Sequence, residues 1–286
     1  MISEIKDMQT LPLRRSAWQK EEGVKYLVAI DVDGTLVNHD GAMSEAVKKA
    51  AQEVVDAGHH VVISTGRSLG ATLPIVEMIG LTRGYAVSSN GAVTLSIDPS
   101  LEAGYRIIDK VSFDPSNAIT LFKAKLPHAS LALEAPDGTV YATDNFEDWS
   151  FGVNTVKTTR TEMATMKSAV RVVVCSPTDT PDDFKRAIYD SGLHGVNYAV
   201  GWSAWLDVAA HGVSKATALE QIRRKLRVDP RHTIAIGDGL NDKEMIHWAA
   251  RGVAMGQALP EVAELATDVT GSVYEDGTVP ILRDLL

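Results

Sequence analysis

The ten residues Leu27-Val28-Ala29-Ile30-Asp31-Val32-Asp33-Gly34-Thr35-Leu36 constrain this chain more than any other stretch. They begin as a short apolar run with β-branched residues, which suits a strand buried in a parallel sheet. The run then ends on two aspartates one residue apart. Two carboxylates there cost several kcal/mol to bury unless something positive sits beside them. A hard divalent cation such as Mg²⁺, which takes oxygen ligands, is the natural partner. Gly34 lets the chain turn sharply and brings backbone N–H groups near a bound anion. An Asp-Gly pair is also a common plain turn, so the rest of the chain has to decide.

The residues that follow alternate between helix and strand patterns. Val47, Ala50, Ala51, Val54 and Val55 fall at helical spacing, with Ser44 as N-cap and Gly58 as stop. His60–Ser64 reads as a second buried strand and ends in Thr65-Gly66-Arg67. A helix to Gly80 follows, its regular part late because of Pro74. Tyr85-Ala86-Val87-Ser88-Ser89-Asn90-Gly91 is a third strand with a polar end, although Asn90-Gly91 by itself is a common hairpin turn. Strands separated by helices predict an α/β fold with a doubly wound parallel, Rossmann-like sheet. Ligands of such sheets sit beyond the carboxyl ends of the strands.

After about residue 94 the pattern changes. Tyr105–Ser112, Ser130–Ala135, Thr139–Thr143 and Ala169–Cys175 read as strands, and Pro115–Leu126 and Pro181–Ser191 as helices. Strands beside one another predict an antiparallel sheet with helices on one side. Residues 95–200 are therefore expected to be an inserted α+β domain, with 25–94 and 201–286 forming the core. Residues 1–24 would be an N-terminal extension, of which 1–22 show no clear period and read as a loosely docked arm. Alternation returns with a strand at Ala204–Val208, a helix at Ser214–Leu226 and a strand at Thr233–Gly237 that runs into Asp238. A helix at Leu240–Ala250, a strand at Val253–Met255, a helix at Pro260–Ala266 and a helical tail from Val279 complete the chain.

Composition narrows the function. A formal charge of −9 over 286 residues argues against broad nucleic-acid binding, which needs a basic face. It leaves room for a small anionic substrate in a site with its own cations. A single cysteine, Cys175, excludes an internal disulfide and a cysteine zinc cluster. No apolar run reaches the roughly 18 residues of a membrane span, and residues 1–20 lack a signal-peptide pattern. The expectation is a cytoplasmic protein, without a membrane partner, that is a monomer or a small homo-oligomer.

Asp31, Asp33, Thr65 and Asp238 are all expected at strand ends, and Lys215 opens a helix. Asp238-Gly239-Leu240-Asn241-Asp242 adds a second acidic cluster. Carboxylates, a lysine, a hydroxyl and glycine turns outline a Mg²⁺-assisted phosphate site. Phosphoryl transfer needs an in-line nucleophile, charge neutralisation and a proton for the leaving oxygen. Asp31 suits the nucleophile. Asp33 suits the acid that protonates the leaving group and later activates water, since two close carboxylates do not easily both ionise. Lys215 and the cation would offset charge, and Thr65 with backbone N–H groups would hold phosphate oxygens.

These motifs together resemble the haloacid dehalogenase superfamily of phosphatases, and within it the Cof-type, sugar-phosphatase-like group. The resemblance rests on Asp31-Val32-Asp33-Gly34-Thr35-Leu36, Ser64-Thr65-Gly66-Arg67, Ser89-Asn90-Gly91-Ala92, Gly212-Val213-Ser214-Lys215 and Gly237-Asp238-Gly239-Leu240-Asn241-Asp242-Lys243-Glu244-Met245. It implies that Asp31 is the nucleophile and Asp33 the general acid/base. It further implies that Mg²⁺ is held by Asp31, the carbonyl of Asp33 and Asp238, with Asp242 acting through the metal's water shell. Thr65, Gly66 and Lys215, with Asn241 beside them, would bind phosphate. Ala216 departs from the group, where glycine often follows the lysine. The inserted segment matches only in position and size, as a large α/β cap.

The expected function is a Mg²⁺-dependent phosphatase acting on a small phosphorylated metabolite such as a sugar phosphate, through an aspartyl-phosphate. A phosphomutase or phosphotransferase on the same core, and a non-catalytic metabolite sensor, stay open as alternatives. Glu134, Asn145, Trp149, Phe151 and Trp202 are the candidate readers of the substrate beyond its phosphate.

Overall fold

Apolar strands alternating with amphipathic helices build the first part of the chain. β1 (Leu27–Ile30) leads to α1 (Glu45–Asp56), β2 (His60–Ser64), α2 (Leu69–Met78) and β3 (Gly84–Ser88). A turn at Ser89–Gly91 reverses the chain into β4 (Val93–Ile97), and β5 (Tyr105–Lys110) follows. Next come α3 (Ser116–Lys125), β6 (Ser130–Glu134), β7 (Val140–Ala142), β8 (Thr155–Lys157), α4 (Arg160–Met163), β9 (Arg171–Cys175), β10 (Val196–Val200) and β11 (Trp205–Ala210). The chain finishes through α5 (Lys215–Leu226), β12 (Thr233–Gly237), α6 (Lys243–Trp248), β13 (Arg251–Ala254), α7 (Pro260–Ala263), β14 (Asp268–Val269) and α8 (Thr278–Arg283). The computed structural model describes residues 11–143, 146, 155–176, 180, 182, 196–200 and 205–286, with 196–200 and 205 as backbone alone.

The first sheet has the order β14-β13-β12-β1-β2-β3-β4-β5. β14 through β3 run parallel, and β4 and β5 are antiparallel additions. Both faces of its centre are covered, as the apolar runs require. Val28 and Ile30 point to the face packed by α1 and α8. Leu27 and Ala29 point to the other, where Ala218, Leu219 and Ile222 of α5 and Met245 of α6 lie. α1 starts where expected, with the Ser44 hydroxyl accepting from the Val47 N–H at 3.1 Å. α2 begins at Leu69 and carries Pro74 inside it, so its regular part is not late.

A second sheet, β10-β11-β9-β6-β7-β8, belongs to the inserted segment. Leu131, Leu133, Val172, Val174, Leu206 and Val208 on one face pack against Ala118, Ile119 and Phe122 of α3. The alternate residues Glu134, Arg171 and Asp207 take the opposite face by the two-residue period of a strand.

Two strands fall in the sheet opposite to the one expected. Tyr105–Lys110, expected in the insert, pairs with β4 at the edge of the first sheet. Trp205–Ala210, expected in the core, pairs with β9 and β10 in the second. We therefore propose that the insert spans about 111–210 and not 95–200. Apart from residue 182, the helix expected at 181–191 lies outside the described residues, as do Asn145, Trp149, Phe151 and Trp202.

The described part of the arm is firmly held. Arg14 forms a bridge with Val269 at the sheet edge, and its guanidinium donates to the Ala263 and Ala266 carbonyls at 2.6 Å each. Trp18 lies under the Arg251 guanidinium, 4.3 Å from ring centroid to Cζ. Arg251 is itself paired with Asp268 and Asp284. Among the described residues, no helix is long and apolar enough to cross a membrane.

Candidate active site

The strand order places the expected residues together. β1 lies between β12 and β2. Asp31, Thr65 and Asp238 therefore leave the carboxyl ends of three adjacent strands. The chain runs outward from β1 in one direction through β2 and β3, and returns on its other side through β12. That reversal is the point where doubly wound sheets leave a crevice.

Lys215 is the first residue of α5, capped by Ser214 with Thr217; Ala216 does not disturb this helix start. Its ammonium is fully buried and lies 2.6 Å from Asp31 Oδ1 and 2.6 Å from Asp242 Oδ1. Burial works to lower its pKa, but the facing carboxylates of Asp242 and Asp31 outweigh that and raise it. Asp31 is held well above the ordinary carboxylate range by burial first and by the Asp242 charge second. Asp238 is pushed up to about 7, again by burial and then by Asp242.

Asp31, Asp238 and Asp242 are all buried, with carboxylate oxygens within 4.8 Å of one another. Asp33 is outside this group. Asp242 spends both oxygens on the protein: Oδ1 on Lys215, and Oδ2 on the N–H groups of Asp238 at 3.0 Å and Gly239 at 2.9 Å. It therefore organises the turn and the lysine, which suits a supporting place beside an ion. Three buried carboxylates against one ammonium leave excess negative charge among hard oxygen donors. Such a set fits a hard divalent cation.

Gly34 is required where it stands. Its φ is +80°, and a Cβ there would overlap the Asp238 carboxylate. Its N–H, however, donates to the Val37 carbonyl at 2.8 Å, so this amide closes the turn and is not offered to an anion. The Thr65 hydroxyl accepts from the Arg67 N–H at 3.1 Å, which leaves its own proton for another acceptor. The Gly66 carbonyl accepts from the Arg171 guanidinium. Asn241 donates from Nδ2 to Asn90 Oδ1 at 2.9 Å.

The Asp33 carboxylate is half exposed and turned to Arg67, whose Nε and Nη2 donate to it at 3.1 and 2.7 Å. Nothing in the sequence pattern assigned Arg67 this partner. Gln257 was also missed. Its Nε2 donates to the Gly34 carbonyl at 2.6 Å and to Asp238 Oδ2 at 3.1 Å, while its Oε1 accepts from the Val273 N–H. A lone glutamine shortly after the apolar run Val253-Ala254-Met255 was the available signal. In the insert, Arg171 reaches Glu134 at 3.1 Å and Asp207 at 3.3 Å, all three buried. Ser89 donates to Glu134 at 2.7 Å. Glu134, expected to read the substrate, is thus tied into a bridge between the two sheets. A lone charge inside Val170-Arg171-Val172-Val173-Val174 was the sign of it.

Comparison with known proteins agrees with this geometry. Residues 28–282 match the family model of haloacid dehalogenase-like hydrolases. The putative phosphatase YkrA of Bacillus subtilis is 30% identical over 264 residues, covering 91% of this chain and 97% of its own. The 5-amino-6-(5-phospho-D-ribitylamino)uracil phosphatase YcsE of the same organism is 27% identical, covering 93% and 97%. A haloacid dehalogenase-like hydrolase from Bacteroides thetaiotaomicron superposes with a TM-score of 0.75 at 20% identity, over 92% of this chain and 100% of that one. The subclass IIB sugar phosphatase BT4131 gives 0.75 at 20% identity, over 91% and 98%. The chain belongs to the haloacid dehalogenase-like hydrolases, and within them to the Cof-type group of capped phosphatases.

Proposed function

We propose that this chain is a Mg²⁺-dependent phosphomonoesterase acting on a small phosphorylated metabolite, and that Asp31 carries the phosphoryl group. The observation that supports this most is the buried ammonium of Lys215, bridging Asp31 and Asp242 at 2.6 Å beside Asp238. Asp31, the Asp33 carbonyl and Asp238 would hold the ion, with Asp242 behind them. Bound there, it would neutralise charge on the phosphate oxygens and on Asp31.

The chain's own groups account for the remaining chemistry. An Asp31 oxygen attacks phosphorus, forming one P–O bond while the bond to the leaving oxygen breaks. Asp33 donates its proton to that oxygen and then takes one from the water that attacks the aspartyl-phosphate. Inorganic phosphate leaves, and both aspartates return to their starting state. Lys215 and Thr65 bind phosphate oxygens, and fixed donors of this kind need no rearrangement as charge shifts. Arg67 engages both oxygens of the Asp33 carboxylate, so the pair has to part for Asp33 to reach the leaving oxygen.

The sugar-phosphate class is supported by what relatives act on. YcsE is named for a phosphoribityl substrate and BT4131 for sugar phosphates, so a phosphate on a polyol carbon is common to both. The test is phosphate release from a panel of sugar, polyol and nucleotide monoesters, with Mg²⁺ and with excess chelator. Chelator-sensitive release that is lost in Asp31→Asn, with unchanged thermal stability in Mg²⁺, is expected. No release from any compound by folded, Mg²⁺-loaded protein overturns the proposal.

A further inference from the structure

The Ser89-Asn90-Gly91 turn has no part in the chemistry above, yet its conformation is costly. Ser89 and Asn90 have φ of +49° and +54°, a left-handed region that side chains other than glycine seldom enter. Asparagine tolerates it better than serine. Such outliers persist when their surroundings hold them, and they gather at functional sites. Here the Ser89 and Asn90 N–H groups donate to the Arg67 and Thr65 carbonyls at 2.8 and 3.0 Å, so the turn is laced to the loop after β2. Gly91 completes it: a Cβ there would overlap the Ser214 carbonyl, one residue before Lys215.

The Asn90 carboxamide joins both bodies of the protein. Nδ2 donates to Asp207 Oδ2 in the inserted sheet at 2.9 Å, and Oδ1 accepts from Asn241 Nδ2 in the core at 2.9 Å. The direction of this relay is forced. Asp207 faces the Arg171 guanidinium and accepts from it, so the edge of Asn90 that meets it is the NH₂ edge. The oxygen edge then faces Asn241, and only the NH₂ of Asn241 can answer it. That choice turns the Asn241 carbonyl away and leaves its second N–H for another acceptor. Arg171 keeps Asp207 in place from the inserted side and donates to the Gly66 carbonyl as well.

We propose that Asn90 is a positioning residue through which the cap residue Asp207 orients Asn241 and the Thr65–Arg67 loop toward the substrate phosphate. This rests on the phosphatase reading given above. The consequence is that phosphate affinity depends on an aspartate of the cap that need not touch substrate.

Asn90→Gly tests this cleanly, since glycine keeps the positive φ while deleting the amide. Asp207→Asn removes the pure acceptor from the other side. The full-length protein with Mg²⁺ is titrated with orthovanadate as a phosphate-shaped probe, and kcat/KM is measured on a chromogenic phosphomonoester. Each single variant is expected to lose about tenfold in both, the scale of one hydrogen bond, and the double variant no more than the worse single. Wild-type vanadate affinity in Asn90→Gly, or losses that multiply in the double variant, overturns the inference alone. A wild type that neither releases phosphate nor binds vanadate overturns the phosphatase reading, and the inference with it.

Discussion

Replacing Lys215 by methionine removes a buried charge while nearly conserving volume, and its cost follows from the distances. The ammonium lies 2.6 Å from an Asp31 oxygen and 2.6 Å from an Asp242 oxygen. At an effective dielectric constant of about 20, each contact is worth about 6 kcal/mol before desolvation is subtracted. Burying the lysine offsets much of that, and breaking one side of a buried ion pair costs about 3–5 kcal/mol net. The acids can escape part of the penalty by taking up protons, so the full loss belongs to pH 8 in chelator. For a chain of this size that is a fall in melting temperature of roughly 10 °C. The direction with metal discriminates further. Asp31, Asp238 and Asp242 without the lysine form a more negative site, so Mg²⁺ should stabilise Lys215→Met more than wild type and narrow the gap. Thermal melts of both proteins with chelator and with Mg²⁺ make the comparison. A difference below about 1 kcal/mol in chelator, or equal stabilisation by Mg²⁺, would refute the charge argument.

Other perturbations address the same cluster. Asp238 has a folded pKa of about 7 against an ordinary value of 3.8, so the metal-free folded state holds a proton that the unfolded state has released between those limits. Its stability contribution is full below about pH 4 and falls by about 1.4 kcal/mol per pH unit up to about pH 7; Asp238→Asn in chelator should flatten this slope, and an unchanged slope contradicts the assignment. Gly34→Ala pairs a positive φ with an overlap onto Asp238; about 1–2 kcal/mol of backbone strain and a raised half-saturating Mg²⁺ concentration are expected, to be read by melting and calorimetry. Metal should also precede phosphate, because four carboxylates here face, among the described residues, the two cations Lys215 and Arg67. Vanadate affinity should fall by about two orders of magnitude in chelator, since two unit charges about 5 Å apart repel by about 3 kcal/mol at an effective dielectric of 20. Equal affinity with and without Mg²⁺ would show that the excess charge is neutralised by some other route.

What could be read from the letters follows the range of the forces involved. β1, β2 and β12 were legible because each is an apolar run that stops at a polar residue, a local pattern set by burial on both faces. The convergence of Asp31, Thr65 and Asp238 followed from strand–helix alternation alone. Lys215 was not legible in this way, since a lysine at a helix start is ordinarily solvated, and only the conjunction of motifs singled it out. The two misplaced strands show the opposite case. Val93-Thr94-Leu95-Ser96-Ile97 and Tyr105–Lys110 prolong the first sheet by antiparallel pairing, and alternation does not tell an added edge from a new sheet. Trp205–Ala210 precedes the Lys215 helix and so read as core, but its partners are β9 and β10. Residues 11–22, the described part of the stretch without a period, are held through Arg14, Ser16 and Trp18 by an edge bridge, a hydrogen bond to Asp268 and a cation–π contact. None of these needs an amphipathic face.

Glu134, Arg171 and Asp207 pose a different question, because each is a charged residue set among the apolar residues of its strand. They are buried only where the cap sheet meets the core. Stability is a poor reason for such a cluster: apolar residues of equal volume would match or exceed a buried ion pair. Direction is a better one. Apolar surfaces attract without regard to orientation, so a cap held by them alone could slide or rotate over the crevice. The Arg171 guanidinium is a planar fork with fixed donor directions, and it engages Glu134, Asp207 and the Gly66 carbonyl together. Ser89 and Asn90 answer the same two acids from the core. A displacement of the cap would strand at least one buried charge, and that penalty is steep where a hydrophobic contact would be forgiving. The acids above the crevice therefore do for the cap what Lys215 does for the acids below it: they allow one arrangement and make its neighbours expensive.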